Sequence, residues 1–303
     1  MDKIAFIGLG TMGHPMVRNL AASGAALSVF DVDADAVRGV AEETGAMPLA
    51  STAEAAAADV VVLMLPDSAI VAKVLGDVDA PGSLAHALRP GTLLIDMGSS
   101  SPEATASHAD ALAGRGVTVV DAPVSGGPRK AVDGTLTIMM GGTETGCRRA
   151  LPILRTMGTS VTYVGPAGSA HALKSLNNLL SAIGLVGAIE VLTVGKRFGL
   201  DPRVMLGVIN QSTGRNQSTE VKVEPQILDG GRNVGFSLPL TVKDISTALG
   251  LAHSQNVATP LSETCVELCR TALAALQRDG ISNPDQADLA VHFARTTGTS
   301  LLP

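Results

Sequence analysis

The stretch "KIAFIGLGTMGHPMVRNL", Lys3 to Leu20, joins a strand-like apolar run to a glycine-rich turn and the opening of a helix. Ile4 to Ile7 are apolar without a break, which suits a strand covered on both faces. Gly8, Leu9, Gly10, Thr11, Met12 and Gly13 then fit the pattern G-x-G-x-x-G. Alone the pattern says little. Here it follows a strand, precedes a helix, and has an acid, Asp31, 21 residues beyond Gly10 at the end of the next strand-like run. The three glycines serve different physical ends. Gly8 permits a tight turn, Gly10 lets the backbone approach a pyrophosphate, and Gly13 allows helix to pack closely on strand. The helix N-terminus then offers unpaired N–H groups and a partial positive charge to phosphate. A carboxylate at Asp31 can accept hydrogen bonds from ribose hydroxyls and repels a 2′-phosphate. The neighbouring "DVD" supplies no arginine for such a phosphate, so NAD is favoured over NADP.

Further apolar runs, "ALSVFD", "DVVVLMLP" and "GTLLIDM", alternate with Ala-rich or amphipathic stretches. "GVTVVDAPV", "TLTIMMGG" and "SVTYVG" follow as later strands. Repeated strand, helix, strand units predict a mostly parallel, doubly wound sheet with helices on both faces. Beyond about Gly165 strand signals vanish and helical periods take over in "LPLTVKDISTALGLAHSQ", "LSETCVELCRTALAALQRDG" and "PDQADLAVHFARTTG". The expected organisation is a dinucleotide-binding α/β domain over 1–165 and an all-helical domain over 166–303. A long helix near 168–196 joins them.

Composition narrows the function classes. With 303 residues there is chain enough for two cores. Hydrophobic content of 46% and charged content of 17% describe a globular protein rather than a disordered one. A net charge of −6 without a basic cluster argues against nucleic-acid binding, and no Trp, one Tyr and five Phe leave no base-stacking platform. Cys147, Cys265 and Cys269 are too few and wrongly spaced for a disulfide framework or a zinc site, so no metal is expected. The chain opens directly on strand-like residues, and the most apolar uncharged run, Leu176 to Ile189, falls short of the roughly 20 residues of a membrane span. A cytoplasmic protein with no membrane partner is the expectation.

Two polar features interrupt otherwise apolar ground. In "HALKSLNNLL", His171 to Leu180, a helix turning about 100° per residue puts His171, Lys174, Asn178 and Ser181 on one side. Ala172, Leu173, Leu176, Leu179, Leu180 and Ile183 fall on the other. A polar stripe in a buried place costs several kcal/mol unless it finds partners. Either water or a polar ligand meets it. In "DAPVSGG", Asp121 to Gly127, the hydroxyl of Ser125 and the N–H groups of Gly126 and Gly127 suit a carboxylate at the end of a strand.

The blocks "FIGLGTMGHPMVRNL", "LPD", "IDMGSSSPEA", "DAPVSGG", "GPAGSAHALKSLNN" and "FSLPLTVKDISTAL", in this order over nearly the whole chain, resemble the β-hydroxyacid dehydrogenase family. That is the group of 3-hydroxyisobutyrate dehydrogenase and tartronate semialdehyde reductase. The resemblance implies a Rossmann domain joined through a long interdomain helix to an all-α domain, substrate in the cleft between, and homodimers or homotetramers. It implies that Lys174 is the catalytic lysine and Asn178 its supporting asparagine. It also implies that Ser125, Gly126 and Gly127 hold the substrate carboxylate, that Lys243 reaches nicotinamide and substrate, and that Leu65, Pro66 and Ser99 line the cofactor. The chain departs from the family at Gly98–Ser99, where Ser-Thr is frequent, and at Ala170, where glycine is common. The polar run "NQSTGRNQSTE", Asn210 to Glu220, suits a hydroxylated substrate or a solvated interhelical loop.

The expected chemistry is NAD-linked hydride transfer with a small β-hydroxy acid such as 3-hydroxyisobutyrate, glycerate or threonate, Lys174 stabilising the alkoxide and mediating proton transfer. His171 is the rival base on the same stripe. The rival function is a non-catalytic NAD-binding sensor or assembly protein of the same fold. Relatives of that kind, like those that reduce imines, lack the lysine.

Overall fold

The computed structural model describes residues 2–303, which form two compact units, one ending at Lys174 and the other Ser175–Pro303. The first holds nine strands: β1 (Lys3–Ile7), β2 (Ala26–Phe30), β3 (Met47–Pro48), β4 (Val60–Leu63), β5 (Leu93–Asp96), β6 (Thr118–Asp121), β7 (Val124–Ser125), β8 (Leu136–Gly142) and β9 (Gly158–Gly165). Their order is β3-β2-β1-β4-β5-β6-β8-β7, with β9 added on β8. Pairings from β3 through β6 are parallel, whereas β8 runs antiparallel to both β6 and β7. The helices are α1 (Gly13–Ala22), α2 (Ala34–Thr44), α3 (Ser68–Leu75), α4 (Leu84–Ala87), α5 (Pro102–Ala113), α6 (Gly127–Val132) and α7 (Glu144–Leu154).

Alternate residues of each central strand enter opposite cores, as the twofold period of a strand requires. Ile4, Phe6, Val62 and Ile95 pack on one face with Met16 and Leu20 of α1. Ala5, Ile7, Val61, Leu63 and Leu94 pack on the other with Val71 and Leu75 of α3. This double burial explains why the strands read as continuous apolar runs, and the sheet is the mostly parallel Rossmann type that the sequence predicts.

The second unit is helical. It contains most of α8 (Ser169–Phe198), then α9 (Pro202–Asn210), α10 (Gln217–Val221), a π turn (Glu224–Leu228), α11 (Leu238–Ser254), α12 (Pro260–Arg278) and α13 (Leu289–Thr297). Leu185, Ile189 and Leu192 of α8 form a core with Ile245, Cys269, Leu276 and Phe293. Cys265 and Cys269 are buried there as small core residues. At 30 residues α8 is long and apolar enough to cross a bilayer, yet half of its most apolar window is buried inside the protein.

At its start α8 turns the polar stripe inward and the leucine side outward. Leu173, Leu176 and Leu180 are exposed, the last by 71%, whereas His171 and Ser175 are buried and Lys174 and Asn178 half-buried. Periodicity separates the two sides of a helix but does not say which side turns inward.

Candidate active site

The glycine-rich turn is held by backbone contacts on every side. Gly8 donates its N–H to Phe30 O at 2.9 Å, Met64 N–H reaches Ile7 O at 2.8 Å, and the Leu9 N–H donates to Asp31 Oδ2 at 2.6 Å. A methyl group on Gly13 would lie 1.9 Å from Gly8 O, and one on Gly8, whose φ is +101°, 2.3 Å from Met64 O. Only glycine lets helix and turn meet this closely. Around Gly10, by contrast, a methyl group would meet no atom within 4 Å. The backbone there is open to a ligand, and no side chain caps the N-terminus of α1. These residues fit a dinucleotide diphosphate.

Beside the turn lies a cavity of about 490 Å³ lined by Leu9, Gly10, Thr11, Asp31 and Asp33, with His14 and Arg18 from α1. Asp31 accepts N–H groups from Leu9 and Asp33 through its two oxygens, which fixes the carboxylate at the cavity wall. Sequence neighbours of Asp31 offer no arginine, but the fold brings Arg18 to the same cavity. Its Nε binds Glu43 Oε1 at 2.9 Å while His14 Nε2 meets Glu43 Oε2 at 2.6 Å. The His14 hydrogen bond, with Arg18 beside it, holds the Glu43 carboxyl below its ordinary range. Leu65 is buried, and a methyl group on Gly98 would sit 2.3 Å from Leu65 O. The departure at Gly98 therefore has a steric cause, and its N–H donates to Asp96 Oδ1 at 2.9 Å. Ser99 next to it is half-buried.

The loop from Asp121 to Gly127 closes on α8 at two points. Asp121, fully buried, accepts N–H groups from Gly168, Ala170 and His171 at 2.9, 2.9 and 3.0 Å. A carboxylate at a helix N-terminus is stabilised by both hydrogen bonds and dipole. One turn later Lys174 Nζ donates to Val124 O at 2.9 Å, so the lysine lies against the loop that carries Ser125, Gly126 and Gly127. Gly126 and Gly127 have φ of +129° and +69°, conformations that side chains resist. His171 is buried with Nδ1 2.9 Å from Thr105 Oγ1 and 3.8 Å from Asp121 Oδ2. The enclosed imidazole packs at the start of α8.

In the helical unit Asn178 Nδ2 donates to Asp244 Oδ2 at 2.7 Å, and Lys243 Nζ lies 3.0 Å from Asp244 Oδ1. Asp244 is buried and joins the two residues picked out by sequence. It is the acid of the quoted "KD", so its signal was on view. The polar run from Asn210 is largely consumed locally. Asn216 and Thr219 form a capping box on α10, Asn210 Nδ2 binds Thr219 O at 3.0 Å, and Ser212 binds Val208 O at 2.7 Å.

Comparison with known proteins agrees with this fold. Residues 3–165 match the family described as the NAD binding domain of 6-phosphogluconate dehydrogenase, and residues 168–284 that described as NAD-binding of NADP-dependent 3-hydroxyisobutyrate dehydrogenase. The chain is 34% identical over 299 residues to 2-(hydroxymethyl)glutarate dehydrogenase of Eubacterium barkeri, covering 99% of this chain and 97% of that one. It is 39% identical over 270 residues to 3-hydroxyisobutyrate dehydrogenase of Pseudomonas aeruginosa, covering 86% and 89%. A solved structure of Mycobacterium tuberculosis 3-hydroxyisobutyrate dehydrogenase with L-serine superposes with a TM-score of 0.86 at 30% identity, over 97% of this chain and 99% of that one. A glycine-turn Rossmann unit followed by a helical unit, matched by these families and relatives, defines a nicotinamide-dependent oxidoreductase. More narrowly, the chain belongs to the β-hydroxyacid dehydrogenase family.

Proposed function

We propose that this protein uses NAD to interconvert a small β-hydroxy acid and its carbonyl form, with Lys174 as the catalytic group. The observation that carries the reading is the contact of Lys174 with Val124 O, which sets the ammonium beside Ser125, Gly126 and Gly127. The compounds named for the relatives, 3-hydroxyisobutyrate, 2-(hydroxymethyl)glutarate and L-serine, share an alcohol one carbon removed from the carbon that bears a carboxylate. That separation matches a carboxylate held by the Ser125 loop and a hydroxyl meeting Lys174. Bound NAD supplies the hydride acceptor at C4 of its nicotinamide. Lys174 hydrogen-bonds the alcohol oxygen, stabilises the negative charge that grows there, and mediates loss of the proton. Asn178 and Lys243, linked through Asp244, support that group and the cofactor. Gly8, Leu9, Gly10, Thr11, Met12 and Gly13 hold the diphosphate, Asp31 the adenosine ribose, and Leu65, Pro66 and Ser99 the remaining wall.

The division of labour follows 1–165 for cofactor and 166–303 for substrate and assembly. A homodimer or homotetramer in the cytoplasm completes the reading. It is supported by exposed apolar side chains on one helical unit, Leu180, Val191, Val194 and Phe198 of α8 with Val204 and Val208 of α9.

Formation of NADH, followed by absorbance across a panel of 2- and 3-hydroxy acids with NADP in parallel, tests the function. One strong NAD-linked substrate is the expected result. Silence across the panel, with NAD still binding in calorimetry, would favour the sensor alternative. Asp31→Ala is expected to weaken NAD at least about tenfold, the equivalent of one lost charged hydrogen bond, and NADP far less. Equal losses in the two titrations would remove Asp31 from the ribose.

A further inference from the structure

The helical unit holds a second lysine that none of the chemistry above employs. Lys222, at the C-terminal end of α10, is half-buried, and its Nζ donates to Ser181 Oγ and to Gln286 Oε1, both at 3.2 Å. Both acceptors are neutral. Among the described residues no carboxylate comes within the 4.0 Å of an ion pair. Asp285 acts on it only from farther off, and its oxygens already accept N–H groups from Val234, Phe236 and Ala287. Burial pushes the Lys222 ammonium below its usual range. A half-buried cation whose hydrogen-bond partners are both neutral, with Asp285 acting only from farther off, has no close counter-charge, and an anionic ligand would supply one.

Its place in the unit says which ligand. Asn178 of α8 is joined to Asp244 of α11 directly. One turn along both helices, Ser181 of α8 is joined to Thr241 of α11 through Lys222 and Gln286, whose Nε2 donates to Thr241 Oγ1 at 2.9 Å. That bond fixes the amide so that its oxygen faces Lys222. Two successive polar rungs thus span α8 and α11. The first holds Asn178 and Lys243, and the second ends in a cation displaced by about 5 Å, one helical turn. We propose that Lys222 is a specificity-determining residue that receives a second anionic group at the far end of the substrate, so that the preferred substrates are β-hydroxy acids bearing two negative charges rather than one. This rests on the proposed function, since it takes Asn178 and Lys243 to mark the reacting end.

The test measures binding and turnover separately. Glutarate and pentanoate, equal in length and differing by one carboxylate, are titrated calorimetrically into the NADH complex of the wild type, Lys222→Met and Lys222→Arg. The wild type is expected to prefer glutarate by at least about tenfold, the scale of one charge-assisted hydrogen bond. Lys222→Met should abolish that preference while keeping the stem's bulk, and Lys222→Arg should largely retain it. A wild type that binds both acids alike, or a Lys222→Met protein with an unchanged ratio, overturns the proposal. Turnover of 2-(hydroxymethyl)pentanedioate against 2-(hydroxymethyl)pentanoate is followed in parallel. No turnover of either, together with a glutarate preference that depends on Lys222, would overturn the oxidoreductase reading and leave the anion subsite standing.

Discussion

Lys174→Ala is expected to lower kcat by on the order of 10³-fold with the preferred acid, the range for losing a positioned acid/base group that also neutralises charge in the transition state. The KM for NAD should move little, because the groups proposed to hold the diphosphate and the ribose are the glycine turn and Asp31. Lys174→Arg should rescue little of the rate. A guanidinium keeps the charge but does not release a proton near neutral pH. The lysine is also placed by its contact with Val124 O, and a longer planar guanidinium bonded to that oxygen would set its charge elsewhere. Steady-state kinetics at saturating NAD decide the matter. An alanine variant within tenfold of the wild type would remove Lys174 from the chemistry.

The second large effect concerns Asp121. Its carboxylate accepts three N–H groups at the start of α8 and is wholly enclosed. Replacement by alanine strands those three donors away from water, at about 1–3 kcal/mol each. A net destabilisation of at least about 3 kcal/mol is expected, read as a lower urea midpoint for the unit ending at Lys174. Asparagine keeps one acceptor oxygen but turns an NH₂ toward an N–H, so it should recover only part of the loss. Because Lys174 lies one turn beyond these bonds, kcat should fall in both variants. A midpoint shift worth less than about 1 kcal/mol would mean that another group satisfies those donors.

The sequence made the strands of the first unit legible because both faces of the sheet are covered, so almost every strand residue is apolar. It did not reveal that β8 runs against β6 and β7, since an apolar run carries no direction. The strand, glycine turn and helix were readable because a local pattern specifies them, and so was the placement of Lys174 and Asn178 one turn apart on a single helix. Arg18 at the cavity beside Asp31 was not, because α1 delivers it beside a strand end 13 residues further along. Asp121 as the cap of α8, Thr105 against His171, and Lys222 against Ser181 escaped for the same reason. Each depends on a contact between distant parts of the chain, which composition and period do not encode. The outward leucines of α8 show the converse limit, in that pattern alone does not choose between core and surface.

The close seating of Gly13 on Gly8 bears on how the nucleotide is met. A loop held at Gly8 and Leu9 by Phe30 and Asp31 gives up part of its conformational entropy during folding, so less remains to be lost when a ligand arrives. Association is then expected to proceed with single-exponential kinetics at all nucleotide concentrations, with no separate phase for ordering the turn. The same arrangement moves the burden of mutation. Damage at Gly13 should surface as a lower melting temperature before it surfaces as a weaker grip on NAD, because the turn cannot loosen without the strands around it.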